Sequence, residues 1–235
     1  MKTVEKLYEG KAKIIYSTDD PNQVIQYFKD DATAFNGAKK GIILSKGVLN
    51  NRISGEIFSY LAKKGIPTHF VKTLSDREML VKKLQIIPVE VVIRNVVAGS
   101  LAKRMGKEEG APLSQAIIEF YYKDDALNDP MINEYHIQAF GLAEQTHIDQ
   151  IKQLAMKIND LLVPYFDERG IRLIDYKLEF GIQDGQVILG DEITPDACRL
   201  WDKGTNEKMD KDRFRFDMGN VEEAYKEIHR RICGN

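Results

Sequence analysis

The stretch Ile171-Arg172-Leu173-Ile174-Asp175-Tyr176-Lys177-Leu178-Glu179-Phe180-Gly181 decides the fold, together with its return Gln186-Val187-Ile188-Leu189-Gly190-Asp191-Glu192. In a strand, alternate side chains share a face. Asp175, Lys177 and Glu179 then line one face, while Ile174, Tyr176, Leu178 and Phe180 line the other and can enter a core. Asp184-Gly185 marks a hairpin, since both residues tolerate positive φ. A two-residue loop would pair Glu179 with Gly190 and put Asp191 on the opposite face. A three-residue loop with a bulge would pair Glu179 with Asp191. A shared metal favours this second register, because a one-residue slip flips every side chain. Acids gathered at one end of an apolar-backed hairpin suit a hard cation and a phosphate. The bland alternative is a solvated, charged ribbon.

Composition narrows the class. The chain has 235 residues, 43% hydrophobic and 30% charged, enough for a large core. A net charge of −2 is not the basic footprint of a nucleic-acid binder. Two cysteines, Cys198 and Cys233, form neither a disulfide framework nor a zinc spacing. No stretch approaches the ~18 apolar residues of a spanning helix, and the N-terminal residues lack a secretory signal's apolar run. The expected location is the cytoplasm, with no membrane partner.

Periodicity divides the chain into a first lobe at 1–84 and a second at 85–235. Strands are expected at 6–9, 12–16, 24–28, 69–73 and 79–84, with a polar loop at 31–41. Leu49, Ile53, Ile57 and Leu61 predict a helix stopped by Gly65. In the second lobe, 89–94 and 117–122 read as strands. Ser100 is expected to cap a short helix ending at Gly106. A long helix follows Thr146, with a kink expected at Pro164 and an end at Gly170. Asn220 and Glu223 resemble a capping box for a last helix whose apolar face is Val221, Ala224, Tyr225, Ile228 and Ile232. Strands grouped into hairpins, not alternating with helices, indicate an α+β fold with mostly antiparallel sheets.

Several residues could carry chemistry. Gly10-Lys11-Ala12-Lys13 lies between two strands, so Lys11 and Lys13 project on one face beside backbone N–H groups, a suitable cradle for a polyphosphate. Solvated lysines are the plain alternative. The chain has neither a Gly-x-x-x-x-Gly-Lys-Ser/Thr loop nor a Gly-x-Gly-x-x-Gly turn. Arg94 closes an apolar strand and could grip an anion bidentately with Ser100 nearby. Asp196 could accept from ribose hydroxyls while Arg199 binds an anion, or the two could form an ion pair over a turn. Lys123-Asp124-Asp125 and Asn128-Asp129-Pro130 read as an acidic turn. The run from Asp202 to Arg215 reads as a solvated face. The four histidines show no metal spacing and belong to no recognisable triad.

These motifs coincide in one family. Leu7-Tyr8-Glu9-Gly10-Lys11-Ala12-Lys13, Val89-Glu90-Val91-Val92-Ile93-Arg94-Asn95, Ala98-Gly99-Ser100-Leu101, Asn128-Asp129-Pro130, Asp175–Gly181 and Gly190-Asp191-Glu192 through Trp201-Asp202 resemble the SAICAR synthetases, the phosphoribosylaminoimidazole-succinocarboxamide synthases. The resemblance covers almost the whole chain in order and length. It implies a two-lobed ATP-grasp-like fold with ATP between the lobes. It implies an ATP-dependent carbon–nitrogen ligase of purine biosynthesis that joins L-aspartate to the carboxylate of carboxyaminoimidazole ribonucleotide (CAIR). By resemblance, Gly10, Lys11, Ala12 and Lys13 hold the phosphates, main-chain groups near Lys82 and Leu84 meet adenine, and Lys123 joins the nucleotide site. Glu179 and Asp191 hold Mg²⁺. Arg94, Ser100, Lys177, Asp196 and Arg199 bind the ribonucleotide. Asp129 lies near the reacting carboxylate, with a second metal in view, and Lys13, Lys177 and Asp129 are the catalytic set. A homodimer or larger assembly is also implied. Ala197 stands where many members carry a hydroxyl.

The residues suit that chemistry on their own terms. A carboxylate resists attack until phosphorylated, and phosphoryl transfer needs positioning and charge neutralisation above all. A small-molecule kinase would use the same lysines and acids but leave phosphate on its acceptor. A non-catalytic nucleotide-binding module would need Lys11 and Lys13 but not Asp191, Arg94 and Arg199 together. The aspartate pocket is expected either at the Asn36-Gly37 loop or among the basic residues 203–215.

Overall fold

Apolar residues early in the chain build a sheet whose second strand carries Lys13 to the later acids. The computed structural model describes residues 5–35 and 37–234; Asn36 of the expected aspartate loop lies outside them. The first segment comprises β1 (Lys6–Glu9), β2 (Lys13–Ser17), β3 (Gln23–Phe28), a hairpin of β4 (Asp31–Ala34) and β5 (Lys39–Ile42), helix α1 (Lys46–Lys63), β6 (Phe70–Thr73) and β7 (Glu78–Lys82). Its main sheet has the order β1-β2-β3-β7-β6, with antiparallel neighbours. Then come β8 (Gln85–Val96), α2 (Gly99–Met105), β9 (Pro112–Tyr122), β10 (Met131–Ile132), α3 (Glu134–Ala139), α4 (Gln145–Asp167), β11 (Ile171–Gln183), β12 (Gln186–Gly190), β13 (Cys198–Asp202), α5 (Asp212–Arg215) and α6 (Val221–Cys233). The second sheet runs β10-β9-β8-β11-β12, and β13 pairs with the other half of β11. The fold is α+β with antiparallel sheets, as the hairpin grouping predicts.

The amphipathic helices close the core. Leu49, Ile53, Ile57 and Leu61 of α1 are buried, as are Ile148, Ile151, Ala155, Ile158 and Leu162 of α4. They share one cluster with Val91 and Ile93 of β8, Leu178 and Phe180 of β11, and Tyr225 and Ile228 of α6. Each such Leu or Ile contributes roughly 1.5–3 kcal/mol on burial. This cluster ties α1 to the second sheet, while β2, β3 and β7 of the first sheet contribute Lys13, Ile15, Val24, Gln26 and Val81 to the wall of a cleft. Gly65, at φ +78°, ends the first helix's trailing turn, where a left-handed residue favours glycine.

Three local expectations change, and one helix end shifts. Within the expected loop, Asp31–Ala34 and Lys39–Ile42 pair as antiparallel strands: Ala32 and Ala34 alternate inward, and the Phe214 ring lies 3.0 Å from where a Cβ on Gly41 would stand. Small and charged residues carry little strand propensity, so packing decides. Ser100 does not cap α2; Ala98 holds that position, and the Ser100 hydroxyl accepts from Arg94. Asn220 precedes α6 but has φ 50°, and its side chain makes no cap bond; a capping side chain needs extended backbone. Helix α4 holds Pro164 within it and ends at Asp167, three residues before the expected Gly170.

Candidate active site

The hairpin takes the register that the metal argument disfavours. Asp184 and Gly185 both have positive φ and make a two-residue turn, with Gln183 opposite Gln186 and Glu179 opposite Gly190. Asp191 nevertheless reaches the same place as Glu179. It lies beyond the end of β12 at φ 59°, so the chain turns and strand alternation no longer governs its side chain. The Lys177 ammonium stands 2.8 Å from Glu179 and 3.7 Å from Asp191. No bulge is needed to bring the acids together.

Strand β11 sets the rest of the site through its neighbours. Asp175 lies opposite Arg94 on β8 and Arg199 on β13. It accepts from both guanidinium groups, at 2.7 and 2.9 Å. Glu179 faces Glu90 across the sheet, a repulsive pair. Lys177 resolves it by donating to both, at 2.8 and 3.0 Å, and Lys123 donates to Glu179 at 2.9 Å. Burial alone would raise the Glu179 pKa, but the charges of Lys177, Lys123 and Lys13 outweigh it and bring it down to about 2. Burial opposes the Lys177 charge, yet Glu179 and Glu90 hold its pKa above the ordinary lysine value.

The first segment supplies the opposing cations. Lys13 contacts Asp191 and stands 3.0 Å from Glu192, while Lys11 reaches Asp125 at 2.7 Å. Both lysines therefore cross to the second segment. A Cβ added at Gly10 would stand 3.1 Å from the exposed Tyr8 ring, which would have to shift slightly. The Gly10 N–H is engaged by the Lys13 carbonyl at 2.8 Å, so the turn closes on itself.

One cavity of about 840 Å³ joins these groups. Its wall includes Gly10, Lys11, Ala12, Lys13, Lys82, Leu84 and Lys123, the expected nucleotide set. It also includes Arg94, Ser100, Lys177, Asp196, Arg199, Glu179, Asp191 and Asp129, so every expected site residue meets one space. Some are already engaged within the protein. Arg94 is 3% exposed and donates to Glu119, Asp175, Ser100 and Tyr121. Asp196 is held by Lys46 at 2.6 Å, Asn50 at 2.9 Å and the Tyr225 hydroxyl at 2.9 Å. Burial opposes its charge, but Lys211 and Lys46 keep its pKa well below the usual carboxylate range. Asp129 sits in the turn at φ 47°, with one carboxylate oxygen accepting from the Asp124 N–H at 3.0 Å.

Sequence reasoning missed several wall residues. Alternation along β8 places Glu90, Val92 and Arg94 together, which could have exposed Glu90. Gln26 and His69 carry no such signal. The run 202–215 is not merely a solvated face: Asp210 and Asp212 are fully buried, and Lys211 and Arg215 line the cavity.

A cleft between two antiparallel sheets, with Lys11 and Lys13 on one side and acids, arginines, Lys123 and Lys177 on the other, defines an enzyme that works on a nucleotide and an anionic second substrate. The sequence profile of the SAICAR synthetase family matches residues 6–232. A Clostridium kluyveri protein named phosphoribosylaminoimidazole-succinocarboxamide synthase is 58% identical over 235 residues, covering 100% of both chains. The crystal structure of an Ehrlichia chaffeensis synthase of that name superposes with a TM-score of 0.96 at 50% identity, covering 98% of this chain and 99% of that one. A SAICAR synthetase in complex with ADP gives 0.94 at 49% identity, covering 97% of each. The chain belongs to the SAICAR synthetase family. It is an ATP-dependent ligase of purine biosynthesis with the family's ATP-grasp-like fold.

Proposed function

We propose that the chain joins L-aspartate to the carboxylate of CAIR, giving SAICAR, ADP and phosphate through an acyl phosphate. The observation that carries this is the meeting of Lys13 with Asp191, beside Lys177 and Glu179, in the cavity that also holds Arg199 and Ser100. A substrate carboxylate oxygen takes the γ-phosphoryl group, the bond to the β-phosphate oxygen breaks, and ADP leaves. The aspartate amine then adds to the acyl carbon, the carbon–oxygen bond breaks, phosphate leaves, and the amine proton is lost. Lys13, Lys11 and Lys123 offset the repulsion between the triphosphate and the attacking carboxylate, which is an electrostatic task. Lys177 neutralises the carboxylate it orients. Arg199 and Ser100 suit the ribonucleotide phosphate, with Arg94 holding Ser100 and Asp196 beside the ribose. Main-chain groups at Lys82 and Leu84 suit the adenine.

Glu179 and Asp191 would hold Mg²⁺, and Asp129 would assist with a second ion. The two acids already share one ammonium at 2.8 and 3.7 Å, so their donors fit a single hard cation. Among the described residues no group of three or more His, Cys, Asp and Glu side chains is arranged for a metal. That suits an ion that keeps waters and takes phosphate oxygens for the remaining ligands. When bound, Mg²⁺ supplies charge neutralisation to the phosphates. Lys211 and Arg215, on the wall that Thr33 and Phe35 also line, suit the carboxylates of L-aspartate. A cytoplasmic homodimer or larger assembly and a lobe division at 84/85 complete the reading.

The test is ADP release with the ribonucleotide present, with and without L-aspartate. Aspartate-dependent release with free phosphate is expected. Phosphate retained on the acceptor, without need for aspartate, would make the protein a kinase and overturn the proposal.

A further inference from the structure

Two polar side chains on the cavity wall take no part in the chemistry above. His69, just before β6, is 4% exposed, and Gln26, in β3, is 3% exposed. Both line the cavity with Val81, Lys82 and Leu84, where the chain crosses from the first sheet to the second. Neither ring nitrogen of His69, nor the Gln26 Nε2, finds a hydrogen-bond partner among the described residues. A buried polar group left unpaired costs about 1–3 kcal/mol, and the large majority of such groups are paired. Two on one wall are accounted for if the occupant of the cavity completes them.

The His69 backbone is fixed in place. Its N–H donates to the Leu189 carbonyl at 2.9 Å, and its carbonyl accepts from the Lys82 N–H at 2.7 Å. The ring stands edge-on to Phe58, with centroids 5.0 Å apart. Burial, with the nearby Lys13 and Lys82 charges, pushes its pKa down to about 3, so the ring is neutral at ordinary pH. A neutral imidazole offers one N–H and one lone pair, and the Gln26 amide adds N–H donors. This is an uncharged pairing of donor and acceptor. It matches the edge of an amino-bearing purine, where an exocyclic N–H lies beside a ring-nitrogen lone pair. It does not match a phosphate, which calls for cations.

We propose that His69 and Gln26 read the amino-bearing edge of the nucleobase, His69 accepting from the exocyclic amino group and Gln26 donating to a ring nitrogen. The inference rests on the cavity taking ATP and adds the residues that select its base.

The experiment compares kcat/KM for ATP and for purine riboside triphosphate, which lacks the amino group, in the wild type, His69→Leu and His69→Gln. The wild type should favour ATP on the order of 10-fold, the value of one hydrogen bond. His69→Leu should reduce that preference to within about 2-fold, with the loss in the KM for ATP, whereas His69→Gln, which keeps an acceptor, should restore most of it. An undiminished preference in His69→Leu overturns the proposal. Should that variant not fold, the wild type labelled with ¹⁵N-histidine still decides, with the His69 signals assigned from the His69→Gln spectrum. ADP should move the His69 ring signals and inorganic tripolyphosphate should not; identical responses to both refute it. A wild type that turns over neither triphosphate defeats the ATP reading itself. One that uses both equally defeats only the base-reading role.

Discussion

Replacing Glu179 by glutamine removes a negative charge from a buried network while keeping the side chain's shape. Glu179 is 5% exposed and accepts from Lys177 and Lys123 at 2.8 and 2.9 Å. Burial alone would raise its pKa, yet the Lys177, Lys123 and Lys13 charges bring it from 4.5 to about 2. At 1.36 kcal/mol per pH unit, that difference favours the folded state by roughly 3 kcal/mol at pH 7. The folded pKa lies below the unfolded one, so this contribution is complete above about pH 4.5 and is lost as pH falls through about 2. Glutamine stands in for the protonated acid. Glu179→Gln should therefore be about 3 kcal/mol less stable than the wild type at pH 7, and the gap should shrink to about half by pH 3. Urea unfolding across that pH range, compared by linear extrapolation, reads the gap directly. Both proteins share every other carboxylate, so the difference isolates this one. A gap unchanged between pH 7 and pH 3 would place the cost in packing. No gap at pH 7 would mean that solvent already screens the lysines, and either result refutes the electrostatic account.

Lys13→Ala should lower kcat on the order of 10²-fold, since it removes a cation facing the developing phosphoryl charge; steady-state kinetics with an unchanged kcat would leave Lys13 only its pairing with Asp191 and Glu192. Arg199→Ala should mainly raise the KM for the ribonucleotide, because the guanidinium is aimed at the cavity by Asp175 and Asp212, each at 2.9 Å. An effect confined to ATP would misplace that subsite. Lys46→Met strips an ammonium 2.6 Å from Asp196, both side chains being under 5% exposed. Breaking a buried pair from one side costs about 3–5 kcal/mol, with Asn50 and Tyr225 holding the result near the lower figure; a urea-derived loss below about 1 kcal/mol contradicts it.

What could be read without coordinates was local. The alternation from Ile171 to Gly181, the Asp184-Gly185 turn and the stripes on α1, α4 and α6 arise between residues a few positions apart, so periodicity displays them. The same holds for Lys11 and Lys13, whose spacing puts them on one side of a turn. Where a neighbouring segment intervened, local signals misled. Ser100 has the composition of a cap, but Arg94 takes its hydroxyl. Residues 31–41 look like a loop until Phe214 packs on Gly41. Asn220 has a capping side chain on a left-handed backbone.

Sequence alone therefore settled the longer strands and helices, the antiparallel class and most of the residues that carry charge at the site, because each depends on short-range sterics and repeated polarity. Tertiary structure alone decided which charges meet. Asp191 joins Glu179 through a turn at positive φ, not through strand register. Lys46 reaches Asp196 across 150 positions of chain, and the His69 ring nitrogens and Gln26 Nε2 find no partner among the described residues beside a cavity. Such pairings depend on through-space distance and on exclusion of water, and neither is a property of neighbouring residues along the chain.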